Sequence, residues 1–212
     1  MQANENVASS PIPSSRFVAG IRNNASKLLK PLLFCVCLIP LLRAGLLFSE
    51  AVNPIEFITR STGTWALVGL LVTLSITPLR QITGWSRLIQ FRRMLGLFAF
   101  FYALLHFTTY IWLDQFFDFS AILKDIIKRP FITLGFATFV LLIPLAVTST
   151  NGWMRRLKRN WGRLHRLIYL IAPLAVIHYI WLVKKDLTQP LIYAAVLVIL
   201  LGWRVLRHFR AH

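Results

Sequence analysis

Apolar runs, each about the length of a bilayer crossing, alternate with short polar and basic stretches along most of the chain. A helix rises about 1.5 Å per residue, so about 20 mainly apolar residues cross the hydrocarbon core of a membrane. Six stretches meet that length: 32–48, 62–79, 94–113, 131–147, 167–183 and 191–206. The pattern predicts an all-α membrane protein, a six-helix transmembrane bundle. Residues 1–30 are polar, and Ser9, Ser10, Pro11, Pro13, Ser14 and Ser15 predict a flexible tail there. Residues 31–207 then form one membrane domain and 208–212 a short tail, because the connecting loops are too short to bury a core of their own.

Composition agrees with that pattern. Of 212 residues, 57% are hydrophobic and 15% charged, too apolar a balance for an ordinary soluble domain. A net charge of +17 would suit a nucleic-acid binder, but its placement along the chain reads as topology instead. Arg16, Arg22, Lys27 and Lys30 precede the first span, and Arg80, Arg87, Arg92 and Arg93 separate the second from the third. Arg155, Arg156, Lys158, Arg159, Arg163 and Arg166 separate the fourth from the fifth, and Arg204, Arg207 and Arg210 close the sixth. The opposite loops hold only Arg60, Lys124, Lys128, Arg129, Lys184 and Lys185, matched by Glu50, Glu56, Asp114, Asp118, Asp125 and Asp186. By the positive-inside rule both termini are cytoplasmic.

Basic residues before an apolar run also begin signal peptides. Here Pro40 and Arg43 interrupt the run and no small-residue cleavage site follows, so the first helix is expected to stay as an uncleaved span. Cys35 and Cys37 read as small apolar filler, and without a CxxCH motif no covalent haem attachment is expected.

Chemistry concentrates on histidine. The stretch from Trp161 to Trp181 reads as one apolar helix carrying His165 at its charged start and His178 deep in its apolar part. In the third span Tyr102, His106 and Tyr110 are spaced by four and share one helical face. His106 lies thirteen residues past Arg93 and His178 thirteen past His165, so each sits about 20 Å from the inner boundary. The two spans run in the same direction, which puts both imidazoles at one depth. Facing each other across a macrocycle, they can ligate iron from both sides. A hydrogen bond from each histidine to a neighbouring helix is the plainer alternative. The shared depth, the aromatic neighbours and the lack of an intramembrane acid favour haem, which with both axial positions filled carries single electrons.

His165 is flanked by Arg163, Arg166 and Trp161, and reads either as an interfacial anchor or as a cofactor residue. Arg92 and Arg93 occupy the matching inner depth on the third span, where no histidine stands. His165, Arg92 and Arg93 are therefore candidates for a second haem, a flavin or a quinone. Arg43 either snorkels to headgroups or clamps a haem propionate. His208 and His212, in the charged tail, carry no expected role.

Several ordered motifs resemble one family. They are Thr62-Gly63, Arg92-Arg93 with Leu95-Gly96-Leu97, Leu105-His106 with Tyr110, and Arg129-Pro130 with Thr133 and Gly135. Leu145-Ala146-Val147-Thr148-Ser149-Thr150, Leu164-His165 with Tyr169, His178-Tyr179 with Trp181 and Lys184, and Gln189-Pro190 with Ile192-Tyr193-Ala194 complete the set. From about residue 31 onward the chain resembles the MsrQ/YedZ family, haem-binding membrane subunits of the bacterial periplasmic protein-methionine-sulfoxide reductase system, with a ferric-reductase-like transmembrane domain. The resemblance implies haem b on His106 and His178, FMN as a further cofactor, and a place in the inner membrane. It also implies a periplasmic molybdopterin-dependent methionine sulfoxide reductase as partner, and a quinone or a cytoplasmic flavin reductase as electron donor. Such a subunit transfers electrons and performs no bond chemistry itself. The chain departs from ferric reductases in lacking a second inner histidine on the third span, and no GxGxxG fingerprint is present.

Two other classes compete. A transporter wants buried ionisable residues strung along a path, and apart from Arg43 and the histidines the spans offer almost none. A haem-free structural anchor explains the hydropathy but leaves two depth-matched histidines without a purpose. The outer segment from Asp114 to Pro130 is expected to be a loop, and Phe116, Phe117 and Phe119 give it either a docking surface or a rest in the membrane interface.

Overall fold

A computed structural model describes the backbone of residues 14–183 and 186–210, and the side chains from residue 28 within that range. Residues 1–13 of the expected tail, Lys184, Lys185, Ala211 and His212 lie outside the described residues. Among the described residues every regular element is helical. Six helices or helix pairs are long and apolar enough to cross a membrane: Leu28–Leu46, Pro54–Thr83, Ser86–Asp114, Pro130–Val147, Arg159–Leu182 and Thr188–Arg210. The chain is thus a multi-pass membrane protein, as its hydropathy predicts.

The first helix, α1, runs Ser14–Leu46. It begins inside the segment expected to be a tail, where helix-favouring residues such as Ala25, Lys27 and Leu28 extend the helix upstream of the apolar run. Two compact units divide the chain, Met1–Leu38 and Ile39–His212, and everything from the end of α1 onward belongs to the second.

Asn53 opens α2, Pro54–Thr83: its side-chain oxygen accepts the Glu56 amide at 3.2 Å, and Pro54 occupies the first turn, where a missing N–H is harmless. Gly84, at φ 69°, closes α2 in the left-handed conformation that suits glycine. After a short 3-10 turn, α3 runs Ile89–Thr109 and widens into a π-helical turn at Tyr110–Asp114. Next come α4 (Phe119–Lys128) and α5 (Pro130–Val147). The short α6 (Asn151–Leu157) and α7 (Arg159–His165) precede α8 (Ile168–Leu182) and α9 (Thr188–Arg210).

Two expectations are corrected. The stretch from Trp161 to Trp181 is two helices: backbone bonds tighten to the i+3 kind at Arg166 and Leu167, separating α7 from α8. The segment from Asp114 to Pro130 is also no plain loop. Asp118 accepts the amides of Ser120 and Ala121 at 3.0 Å each and so nucleates α4, on which Phe119, Leu123 and Ile127 expose one apolar face.

Packing follows small residues. A Cβ placed on Gly69 of α2 would stand 3.0 Å from the Cα of Ala99, so α2 and α3 meet almost backbone to backbone. α5 packs on α8 and on α3, and α9 closes against α8 and α2. Leu70, Leu74, Ala99, Leu142, Ile171 and Val176 are buried where these helices converge. Outward-facing Leu104, Ile143, Ile177, Val198 and Ile199 stay exposed, as lipid-facing side chains do.

One polar tie crosses this core. Pro78 inside α2 has no N–H, so the carbonyl of Leu74, one turn earlier, loses its helical partner. Arg204 of α9 replaces it, donating from Nη2 to that carbonyl at 2.9 Å. Its other terminal nitrogen donates to the Tyr169 hydroxyl of α8, and its guanidinium lies 4.7 Å from the centre of the Tyr169 ring.

Candidate functional site

His106 on α3 and His178 on α8 come together inside the bundle. Their ring centroids are 6.3 Å apart, with planes inclined at 68°. The two environments repeat each other. His106 Nδ1 is 2.8 Å from the carbonyl oxygen of Thr59 on α2, and His178 Nδ1 is 2.7 Å from that of Phe131 on α5. In both cases 47 residues separate histidine from acceptor. Four residues after each acceptor stands a glycine. A Cβ on Gly63 would lie 3.0 Å from His106 Nδ1 and Cε1, and one on Gly135 would lie 2.8 Å from His178 Cε1.

A carbonyl accepts only, so each Nδ1 carries the proton and donates it. The other nitrogen, Nε2, is then an unprotonated lone-pair donor. Among the described residues neither Nε2 has a hydrogen-bond partner. Backbone-tethered imidazole with a free Nε2 is the arrangement by which proteins orient histidine towards a metal. Two rings ligating one first-row metal at about 2 Å per nitrogen would have centroids about 6 Å apart. The pair therefore fits one iron held from both sides, and the donor set suits a haem with two histidine ligands. No group of three or more His, Cys, Asp or Glu side chains that could hold a bare metal ion exists among the described residues.

His165 is differently placed. Its ring stacks on Trp161 with centroids 3.9 Å apart, Nδ1 lies 3.1 Å from the Trp161 carbonyl, and Nε2 lies 3.4 Å from the Ser149 hydroxyl. The Trp161 indole in turn donates to the Thr148 carbonyl at 2.9 Å. Both nitrogens of His165 thus already have protein partners. Arg92 lies within electrostatic reach of His165 and of Arg204, and Arg93 donates to Asn151 at the start of α6. The structure gathers Arg92, Arg93 and His165 at one end of the bundle, away from the histidine pair. Arg43 lies exposed in the last turn of α1. Tyr110 reaches Asp125 of α4 at 3.5 Å, while Tyr102 is buried in the core.

The residues that support the two imidazoles carry little side-chain signal in the sequence. Thr59 and Phe131 act through their backbone, which leaves no mark on side-chain chemistry. The two glycines did leave one: each follows its acceptor at one spacing and precedes its histidine at another, identically in both halves.

Comparison with known proteins accords with this geometry. Residues 62–176 match the family described as ferric reductase like transmembrane component. Over 159 residues the chain is 59% identical to a protein of Xanthomonas campestris pv. campestris (strain 8004) described as protein-methionine-sulfoxide reductase heme-binding subunit MsrQ, spanning 75% of this chain and 73% of that one. A protein of Herminiimonas arsenicoxydans with the same description is 54% identical over 184 residues, 84% of each chain. No solved structure matches the chain. With more than half its length matched by the family model and such similarity to those subunits, the chain belongs to the ferric reductase like transmembrane family and, within it, to the MsrQ proteins.

Proposed function

We propose that this chain is the haem-carrying, electron-transferring membrane subunit of a protein-methionine-sulfoxide reductase system. The observation that carries this is the histidine pair: two imidazoles on different helices, each tied to a backbone carbonyl through Nδ1, with rings 6.3 Å apart. His106 and His178 would hold the haem iron through Nε2, the nitrogen that each backbone contact leaves free. Thr59 and Phe131 keep each ring in the tautomer that leaves Nε2 free, and the missing side chains of Gly63 and Gly135 leave space for the two rings. When bound, haem would supply a reversible one-electron couple. Phe107, next to His106 on α3, stacks on Phe139 of α5 with ring centroids 4.5 Å apart and so ties those two helices together.

Electrons reach the subunit on its basic side, from a quinone or a cytoplasmic flavin reductase, and leave on the opposite side to a periplasmic molybdopterin-dependent methionine sulfoxide reductase. The segregation of cations supports both termini being cytoplasmic and the bundle lying in a bacterial inner membrane. The exposed apolar face of α4, with Phe116 and Phe117 before it, is the docking surface for that partner.

The visible spectrum of the purified protein tests the proposal. An intense Soret band is expected, with sharp alpha and beta bands on reduction, and His106→Ala and His178→Ala should each remove the haem. A colourless protein, or haem retained by both variants, would overturn it.

A further inference from the structure

The two ion pairs among the described residues, Glu56 with Arg60 and Asp125 with Arg129, involve only outer-side residues. The sequence carries no Asp or Glu between Glu56 and Asp114, between Asp125 and Asp186, or after Asp186. Arg92, Arg93, Arg204 and Arg207 therefore have no carboxylate within their own segments. Exposed cations are satisfied by water, but one drawn into an apolar bundle needs an anion or further hydrogen bonds. Arg204 is such a group. Two of its nitrogens are engaged by Tyr169 and Leu74, Arg92 adds like charge nearby, and its Nε is buried without a hydrogen-bond partner among the described residues.

Beside Arg204 the bundle opens into a groove of about 470 Å³, lined by Tyr169, Leu201, Arg204, Val205, His208 and Phe209. On α9, Leu201, Val205 and Phe209 are spaced by four and form an apolar ridge, while Arg204 and His208, also four apart, form a polar stripe beside it. An amphipathic wall at the membrane boundary suits a molecule with an anionic head and an apolar tail. A free anion would leave the apolar ridge uncovered. A second copy of this chain would bring the same cationic stripe against itself.

We propose that this groove binds an anionic phospholipid, its phosphate held by Arg204 and His208 and one acyl chain lying along Leu201 and Val205. The lipid places a counter-charge beside Arg204 and fills the seam between α8 and α9. The site depends on the bundle being embedded in a membrane and not on the histidine pair, so the two proposals fail separately.

Native mass spectrometry of the full chain with bound haem, released from nanodiscs of phosphatidylcholine doped with phosphatidylglycerol, tests it. Two basic side chains near the surface should give a preference for phosphatidylglycerol of roughly tenfold. Arg204→Gln should reduce that preference. Val205→Trp fills the groove without touching a hydrogen bond, and should abolish retention while leaving the visible spectrum unchanged; it carries the test should Arg204→Gln fail to fold. Equal retention of the two lipids, undiminished retention in Val205→Trp, or displacement by inorganic phosphate would overturn the proposal.

Discussion

The ring of His178 lies so close to Gly135 that a methyl group on that glycine would stand 2.8 Å from Cε1, closer than real side-chain contacts allow. Gly135 is in mid-α5, where alanine would ordinarily stabilise the helix by about 1 kcal/mol. Gly135→Ala is therefore expected to do two opposite things: favour the helix and push the imidazole out of line. Haem per protein, from the Soret absorbance, should fall sharply although the helix gains propensity. Gly63→Ala, with a gap of 3.0 Å to His106, should give a smaller loss. Equal haem content in both variants and the wild type would show that the glycines do not position the rings.

The tie between Arg204 and Leu74 leads to a second expectation. Leu74 is fully buried, and removing the Arg204 donor from its carbonyl takes away the partner that replaces the missing Pro78 N–H, a loss of about 1–3 kcal/mol. Arg204→Leu should lower the thermal unfolding midpoint of the detergent-solubilised protein. Pro78→Ala restores an N–H one turn from Leu74, so in that background Arg204→Leu should cost distinctly less. Additive effects in the double variant would mean that Arg204 acts by some route other than that carbonyl.

Much of this architecture is legible in the sequence because a bilayer is a demanding solvent. It forces length and apolarity on every span, and both are visible as runs. The depth match of His106 and His178 is equally visible, since a helix converts residue count into distance. Interactions made by the backbone are not visible. Nothing in the side chains of Thr59 or Phe131 announces that their carbonyls hold the two imidazoles, and nothing in Arg204 announces that it serves a carbonyl freed by a proline 126 positions earlier. The break between α7 and α8 is hidden for a related reason: the apolar pattern runs through it, while the backbone alone changes its bonding.

Lys158, between α6 and α7, has φ 47° and ψ −118°, a region that a residue with a Cβ occupies only under strain of about 1–3 kcal/mol. Glycine relieves that strain. Lys158→Gly is expected to raise the unfolding midpoint and leave the haem spectrum untouched, because the turn is remote from the histidine pair. A lower midpoint would show that the lysine's contacts with its surroundings outweigh its backbone strain.

The exposed face of α4 separates a docking role from a purely lipid one. Leu123 is 60% exposed and Ile127 73% exposed on a helix whose other side carries Lys124, Asp125 and Lys128. A carboxylate at Leu123 disturbs an apolar contact with a partner but makes no contact with either buried histidine. In Leu123→Asp the absorption spectrum should therefore match the wild type, while the reduced subunit should pass electrons to the proposed periplasmic partner several-fold more slowly in stopped-flow mixing. A face that merely rests in the membrane interface predicts something else. Electron delivery would be unchanged, and the variant would instead be extracted from membranes by less detergent. The two measurements on one variant assign the face to one role or the other.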